Sequence, residues 1–305
     1  MKSNLQAGCT VQPQTKEELV DIIKDTCKKK GWNCDLNFID TSKITDMSCL
    51  FSDISSFWAG YGLEKYNGDI SKWNTFNVTD MRSMFDGAHF FNHPLNNWDV
   101  SNVTNMSYMF REAKKFNQPL NNWNVSNVTA MFMMFTDAKS FNQPLDKWNV
   151  SKVIFMNYMF AYAIKFNQPI ENWNVSNVSS MCGMFSKATS FNQPLNKWNV
   201  SNVKHMKYMF KEAKKFNQPL NNWNTSKVTS MTGMFCKATS FNQSLDKWNT
   251  KSVNKYLDLT DMFKFAKNFD NKIPSLKNFE FKRFDDKCFL LGLSHKYAEK
   301  HLHDF

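Results

Sequence analysis

Histidine is scarce in this chain, with 6 residues in 305, and glycine is little commoner, with 9. Scattered histidines exclude most metal sites. Three sit near the C-terminus, but His301 and His303 lie six and eight positions beyond His295, so a single helical face would not gather them. The glycine-rich signatures GxGxxG and GxxxxGK plus Ser or Thr are missing, as are GxSxG and HExxH. Dinucleotide enzymes, P-loop NTPases, α/β-hydrolases and zinc proteases have no motif here. Seven cysteines, at 9, 27, 34, 49, 182, 236 and 288, form no CxxC pair. That argues against a zinc or redox centre and for reduced thiols, with a Cys27–Cys34 bridge as the alternative in an exported protein. No run approaches the roughly 18 apolar residues a membrane span needs. The opening MKSNLQAGCT has no apolar core for a signal peptide, although Gln6-Ala7-Gly8-Cys9 faintly resembles a lipoprotein cleavage box. By sequence alone the expected location is the cytoplasm. Acidic residues such as Asp146, Glu171 and Asp246 stand singly, so no enzyme, cofactor or metal is expected.

Aromatic and sulfur side chains are abundant. The chain has 29 Phe, 18 Met and 10 Trp, ample core material that excludes a disordered polymer. The net charge of +11 attracts phosphates, anionic lipids and acidic glycans without choosing among them.

These residues recur at a fixed interval. Trp73, Trp98, Trp123, Trp148, Trp173, Trp198, Trp223 and Trp248 follow one another at steps of 25. Val103, Met106, Met109, Phe110, Ala113, Phe116, Asn117, Pro119 and Leu120 have counterparts at the same step. The first turn starts near Leu36, with Ile39 in the tryptophan slot and Met47, Phe51 and Phe57 continuing it. A nine-residue insertion is placed at 58–66 and a three-residue insertion after 253. The array is therefore expected over 36–279, between an N-terminal capping segment at 1–35 and a C-terminal capping helix at 280–305. A fainter 50-residue period overlies it: REAKKF at 111–116 recurs as KEAKKF at 211–216, KATSFNQ at 187–193 recurs at 237–243, and glycine occupies 183 and 233.

Met106, Met109, Phe110 and Ala113, spaced three, one and three, predict one face of a short helix. Leu120 to Trp123, after Pro119, predict a very short strand. The expected fold is an α/β repeat, an LRR-like right-handed solenoid with one short parallel strand and one short helix per turn. The Asn117 and Gln118 columns are expected to hydrogen-bond from copy to copy, a structural role rather than a site. The NxS/T triplets follow from the repeat and are weak evidence of glycosylation. Residues 15–30 predict an amphipathic helix with Leu19, Ile22, Ile23 and Cys27 on one face, and 284–305 predict another.

The string FNQPLNNWNVSNVTAMFMMF at 116–135 resembles the BspA-like leucine-rich repeat family of bacterial surface proteins over about residues 36–270. The resemblance implies the right-handed solenoid, a cell-surface or secreted location, and an adhesin-type role in binding host proteins. It brings no catalytic motif.

The leading functional expectation is a protein-binding surface. The alternatives are an intracellular scaffold without a defined ligand, or a binder of acidic glycan or nucleic acid. The candidate surface lies where the repeat departs from its polar pattern, at Tyr108, Phe132, Met133, Phe155, Tyr158, Tyr162 and Tyr208, with Ile154, Ala161 and Ile164 nearby. If exposed together, these would form an aromatic patch flanked by lysines, of the kind that marks interaction sites.

Overall fold

The computed structural model describes residues 8, 10–53, 60–274, 276 and 284–301. Cys9, Phe57, Trp58, Leu302 and His303 lie outside them. The chain divides into two compact units, Met1–Lys152 and Val153–Phe305.

Among the described residues there are three α-helices, α1 (Lys16–Lys30), α2 (Phe284–Leu291) and α3 (His295–Lys300), one 3-10 turn at Tyr256–Asp258, and no β-strand. None of these helices is long and apolar enough to cross a membrane. The expected α/β solenoid with a strand and a helix in every repeat is therefore overturned. Each 25-residue repeat is a series of tight turns, touched by single parallel bridges such as Asp80 to Asn105 and Ser180 to His205.

Backbone hydrogen bonds show what replaces the helix. In the repeat of unit 1 that contains Met106, alternate residues bond in different directions. The N–H groups of Met106, Tyr108, Phe110 and Glu112 donate to the carbonyls of Ala130, Phe132, Met134 and Thr136, each 24 residues ahead. Between them, Met109, Arg111 and Ala113 donate three residues back, to Met106, Tyr108 and Phe110. A helix would send every N–H four residues back. It cannot form because Tyr108 (φ +62°) and Glu112 (φ +58°) are left-handed, which interrupts the right-handed path every fourth residue. The sulfur and aromatic side chains at 106, 109, 110 and 113 are still buried, as their spacing demands, but on a ladder of turns.

The strand expectation fails for a reason visible in its own residues. Leu120 and Trp123 are both buried. In a strand, residues three apart point to opposite faces. A turn closed by the Trp123 N–H to the Leu120 carbonyl (3.1 Å) brings both to the inside and leaves Asn122 in solvent. A second turn, from the Val128 N–H to the Val125 carbonyl, buries the two valines in the same way.

Stacked rings fill the interior of each unit. In unit 1, Phe85, Phe110 and Phe135 lie 5.5–5.6 Å apart, and Phe91, Phe116 and Phe141 lie 6.1 Å apart. Unit 2 repeats this with Phe160, Phe185, Phe210, Phe235 and Phe263. The tryptophan rings are nearly parallel, with Trp123 and Trp148 6.5 Å apart and Trp223 and Trp248 6.1 Å apart. Within each unit the indoles also donate to the repeat before, as where Trp123 Nε1 reaches the Leu95 carbonyl at 2.9 Å and Trp223 Nε1 reaches that of Leu195 at 2.9 Å. These carbonyls also accept the N–H that closes their own turn, from Trp98 and Trp198, so the indole adds a second donor that Phe would lack. The Asn117 column is structural too. The Asn117 N–H donates to Asn92 Oδ1, and the Asn142 N–H donates to Asn117 Oδ1, at 2.9 Å each.

The edges show how the array is ended. Tyr66 stacks on Phe51 at 4.8 Å and faces Phe91 at 6.5 Å, as Phe116 stacks on Phe110 and faces Phe141. Tyr66 is thus already in register, which corrects the placement of an insertion running through it. In unit 2 the ladder offset lengthens from 24 to 27 residues between Met231 and Asp258, and the extra chain forms the 3-10 turn. The N–H groups of Asp261 and Phe263 then donate to the carbonyls of Leu290 and Leu291 at the end of α2. Helix C-termini carry unpaired carbonyls, and here they terminate the ladder. In unit 1, α1 is N-capped by Thr15 and buries Leu19, Val20, Ile23 and Cys27, while Ile22 is half-buried. The segment before α1 pairs with the first turn, with the Asp40 N–H donating to the Val11 carbonyl.

Trp123→Phe keeps a ring but leaves the Leu95 carbonyl with the Trp98 N–H as its donor and removes the indole bond. The loss of this second hydrogen bond should cost about 0.5–1.5 kcal/mol, against about 3–5 kcal/mol for Trp123→Ala. Denaturant unfolding of both variants checks this, and a Phe variant as stable as the parent removes the hydrogen bond from the explanation.

Candidate interaction surface

Two left-handed positions recur in each repeat and create the surface columns. The first holds Cys49, Ser83, Tyr108 and Met133 in unit 1, and Tyr158, Gly183, Tyr208 and Gly233 in unit 2. The second, four residues on, holds Gly87, Glu112 and Asp137, then Tyr162, Lys187, Glu212, Lys237 and Phe265. Left-handed backbone disfavours bulky side chains, so tyrosine there is held against its intrinsic preference. The neighbouring repeat provides the hold. A Cβ at Gly183 would stand 2.2 Å from Tyr158 Cε1, and one at Gly233 would stand 2.6 Å from the Tyr208 ring. Each tyrosine lies flat over the glycine of the next repeat. In unit 2 the glycines at 183 and 233, which mark the 50-residue period, are the space these two rings need.

The structure distributes the candidate residues unevenly. In unit 1, Tyr108, Phe132 and Met133 are half-buried, and the Tyr108 ring meets Phe132 edge-on at 5.1 Å. In unit 2, Tyr158 is half-buried over Gly183, and burial raises its pKa. Phe155 and Tyr162 are 46% and 43% exposed, and Ile154, Ile164 and Tyr208 are also exposed. Ala161 is buried and belongs to the core. Lysines lie over the exposed rings: Lys187 Nζ is 4.5 Å from the Tyr162 centroid, and Lys211 Nζ is 5.2 Å from that of Tyr208. A hydrogen bond with Tyr162 raises the pKa of Lys187. The column of Phe155 continues through Ser180 to His205, so apolar surface in the first repeat of unit 2 gives way to polar and basic surface two repeats on.

The sequence reading missed Phe76 and Phe90 in unit 1 and Leu257 and Phe265 in unit 2, all more than half exposed. A signal existed. Phe76 stands in the column of Ser101 and Phe90 in that of Lys115, both otherwise polar. A shallow cavity of about 330 Å³ lies between Phe263–Lys267 and Gly292–Ser294. Among the described residues no three His, Cys, Asp or Glu side chains converge as metal ligands.

Beneath Tyr108 is a buried ion pair. Arg111 Nε and Nη2 donate to the two carboxylate oxygens of Asp86 at 2.7 and 3.0 Å, and its guanidinium lies 5.8 Å from the Tyr108 ring. The Asp86 side chain is 1% exposed. Burial pushes its carboxyl up to about 6, against the pull of Arg111. A raised folded-state value means that this site stabilises the fold fully below about pH 4, its ordinary value, and that the contribution is lost as pH rises through about 6.

A tandem-repeat protein is what this architecture defines, one whose repeated side chains are taken up by ring stacking and laddering while its variable columns form the surface. Residues 23–146, 59–173 and 156–279 match the family described as Mycoplasma protein of unknown function, DUF285, and the chain belongs to that family. No curated protein matches the chain.

Two outcomes follow from this geometry. Gly183→Ala forces a Cβ into the Tyr158 ring on left-handed backbone and should destabilise the protein by about 2 kcal/mol or more. Adding Tyr158→Ala should recover part of that loss, giving a non-additive double-mutant cycle in thermal unfolding. Arg111→Met strands a buried carboxylate and should cost about 3–5 kcal/mol at pH 7. The loss should be smaller at pH 5, where Asp86 takes up a proton, and unfolding measured at both values gives the sign.

Proposed function

We propose that this chain is a non-catalytic binding protein that recognises a protein partner through the aromatic and basic face of unit 2. The observation that carries the reading is the exposed group Ile154, Phe155, Tyr162, Ile164 and Tyr208, with ammonium groups over two of its rings. Exposed aromatics beside cations match the composition of interaction hot spots. The partner segment that suits the face carries carboxylates for Lys187 and Lys211 and apolar side chains for Phe155 and Tyr162. The likeness of residues 116–135 to strings of the BspA-like surface proteins supports an adhesin-type role on a cell surface.

The test uses Phe155→Ser with Tyr162→Ser, both exposed, so folding is preserved. Wild type and variant are titrated with immobilised acidic peptides containing Tyr and Leu, with heparin and with single-stranded DNA, at low and moderate salt. The reading expects peptide binding that weakens at least about tenfold in the variant with an unchanged Tm. Binding to heparin or DNA that falls steeply with salt and ignores the substitutions favours an anion-binding surface. No binding to any probe favours a scaffold without a ligand at this face.

A further inference from the structure

α1 ends in a chain reversal that places two thiols side by side. Cys27 lies on its buried face in the last turn, and the Gly31 N–H caps the helix on the Cys27 carbonyl at 2.8 Å. The Cys34 N–H then donates to the Gly31 carbonyl, which turns the chain back on itself. The sulfurs of Cys27 and Cys34 come to 3.7 Å, both free thiols and both buried. Cys34 is fixed from the far side as well: the Tyr66 hydroxyl donates to its carbonyl at 3.0 Å, and Leu36, two residues on, donates to the Asp69 carbonyl. One thiol therefore belongs to the helix and the other to the segment that leads into the first turn of the array at Leu36.

We propose that Cys27 and Cys34 form a disulfide when the chain folds in an oxidising compartment, and that this bond staples α1 to the first repeat. The geometry favours a disulfide over other uses of two thiols. The sulfurs are already in contact, so small side-chain rotations reach bonding distance. A metal site would need further ligands, and no third group converges among the described residues. A reactive or sensory cysteine needs an exposed thiolate beside a cation. Burial and the neighbouring Cys34 instead push the Cys27 thiol up to about 12. Both thiols are also buried and shielded from an external oxidant in the folded chain, which places the chemistry during folding, before the helix closes over it.

The oxidant is a small disulfide, RSSR, such as oxidised glutathione. The Cys34 thiolate attacks one sulfur of RSSR, a mixed disulfide forms, and RS⁻ leaves and takes up the proton that Cys34 lost. The Cys27 thiolate then attacks the Cys34 sulfur, and the second RS⁻ leaves and takes up the Cys27 proton. Two protein thiols are oxidised by two electrons, and one RSSR becomes two RSH. The proposal is independent of the binding surface on unit 2.

The full chain is refolded from denaturant in a mixed glutathione buffer and, separately, under a reductant. Both samples are quenched by alkylation, digested and mapped by mass spectrometry. The expected product of the oxidising arm is a peptide pair joined at Cys27 and Cys34, lighter than the reduced pair by two hydrogens. The stapled protein should melt about 5 °C above the reduced one, and this difference should vanish in Cys34→Ser, with Cys27→Ala/Cys34→Ala as a second variant should the serine disturb folding. Native reduced protein placed in the same buffer should form the bond at least about tenfold more slowly than the refolding chain. Alkylated Cys27 and Cys34 in the oxidising arm, or either one joined to Cys9 or Cys49, overturns the pairing. An equal Tm overturns the staple, and equal rates overturn formation during folding.

Discussion

Every feature of this protein depends on a backbone N–H that finds its partner one repeat away. Between Met106 and Glu112, alternate donors reach 24 residues forward while their neighbours close turns three residues back. This division needs a left-handed residue every fourth position, which costs about 1–2 kcal/mol each in isolation. The cost is met because a buried N–H without an acceptor is more expensive still. No single repeat can satisfy its own backbone, so the unit of stability is the pair of neighbours, as in other repeat proteins.

That constraint also shapes the side chains. The ladder sets the separation of equivalent residues, and flat rings about 5.5–6.5 Å apart fill it well. Phenylalanine serves where only packing is required. Tryptophan serves where the previous repeat's carbonyl must also be reached. Asparagine serves where the next turn's N–H must be met from the side chain. The ends obey the same rule, since the carbonyls of α2 supply acceptors that a further repeat would otherwise provide.

The surface is a by-product of the left-handed columns. From Tyr108 onward they carry side chains that are at least partly exposed, whereas Cys49 and Ser83 in the first column are buried, and the sequence uses them in two ways. Glycine at 183 and 233 makes room for the tyrosine of the repeat before it. Tyr162, Lys187 and Glu212 stand in the second column and give the face its mixture of ring and charge.

By itself the sequence determined the 25-residue period, the identity of the buried columns, the helix in the N-terminal segment and the 50-residue recurrence of glycine at 183 and 233. These rest on local spacing and on repetition, which a linear string displays directly. It misassigned the conformation between the columns, and the physical reason is specific. Met106, Met109, Phe110 and Ala113 are spaced as on a helix, but a turn ladder buries the same positions. The difference lies in the sign of φ at Tyr108 and Glu112, residue types that carry no left-handed signature. Likewise the string could name Phe155, Tyr158, Tyr162 and Tyr208 as departures from the polar pattern, but it could not rank their exposure. Tyr158 is half-hidden because its ring lies over Gly183, and Tyr162 is open because the residue ahead of it in the column is a lysine. Contacts between repeats decided both points, and only the tertiary structure contains them.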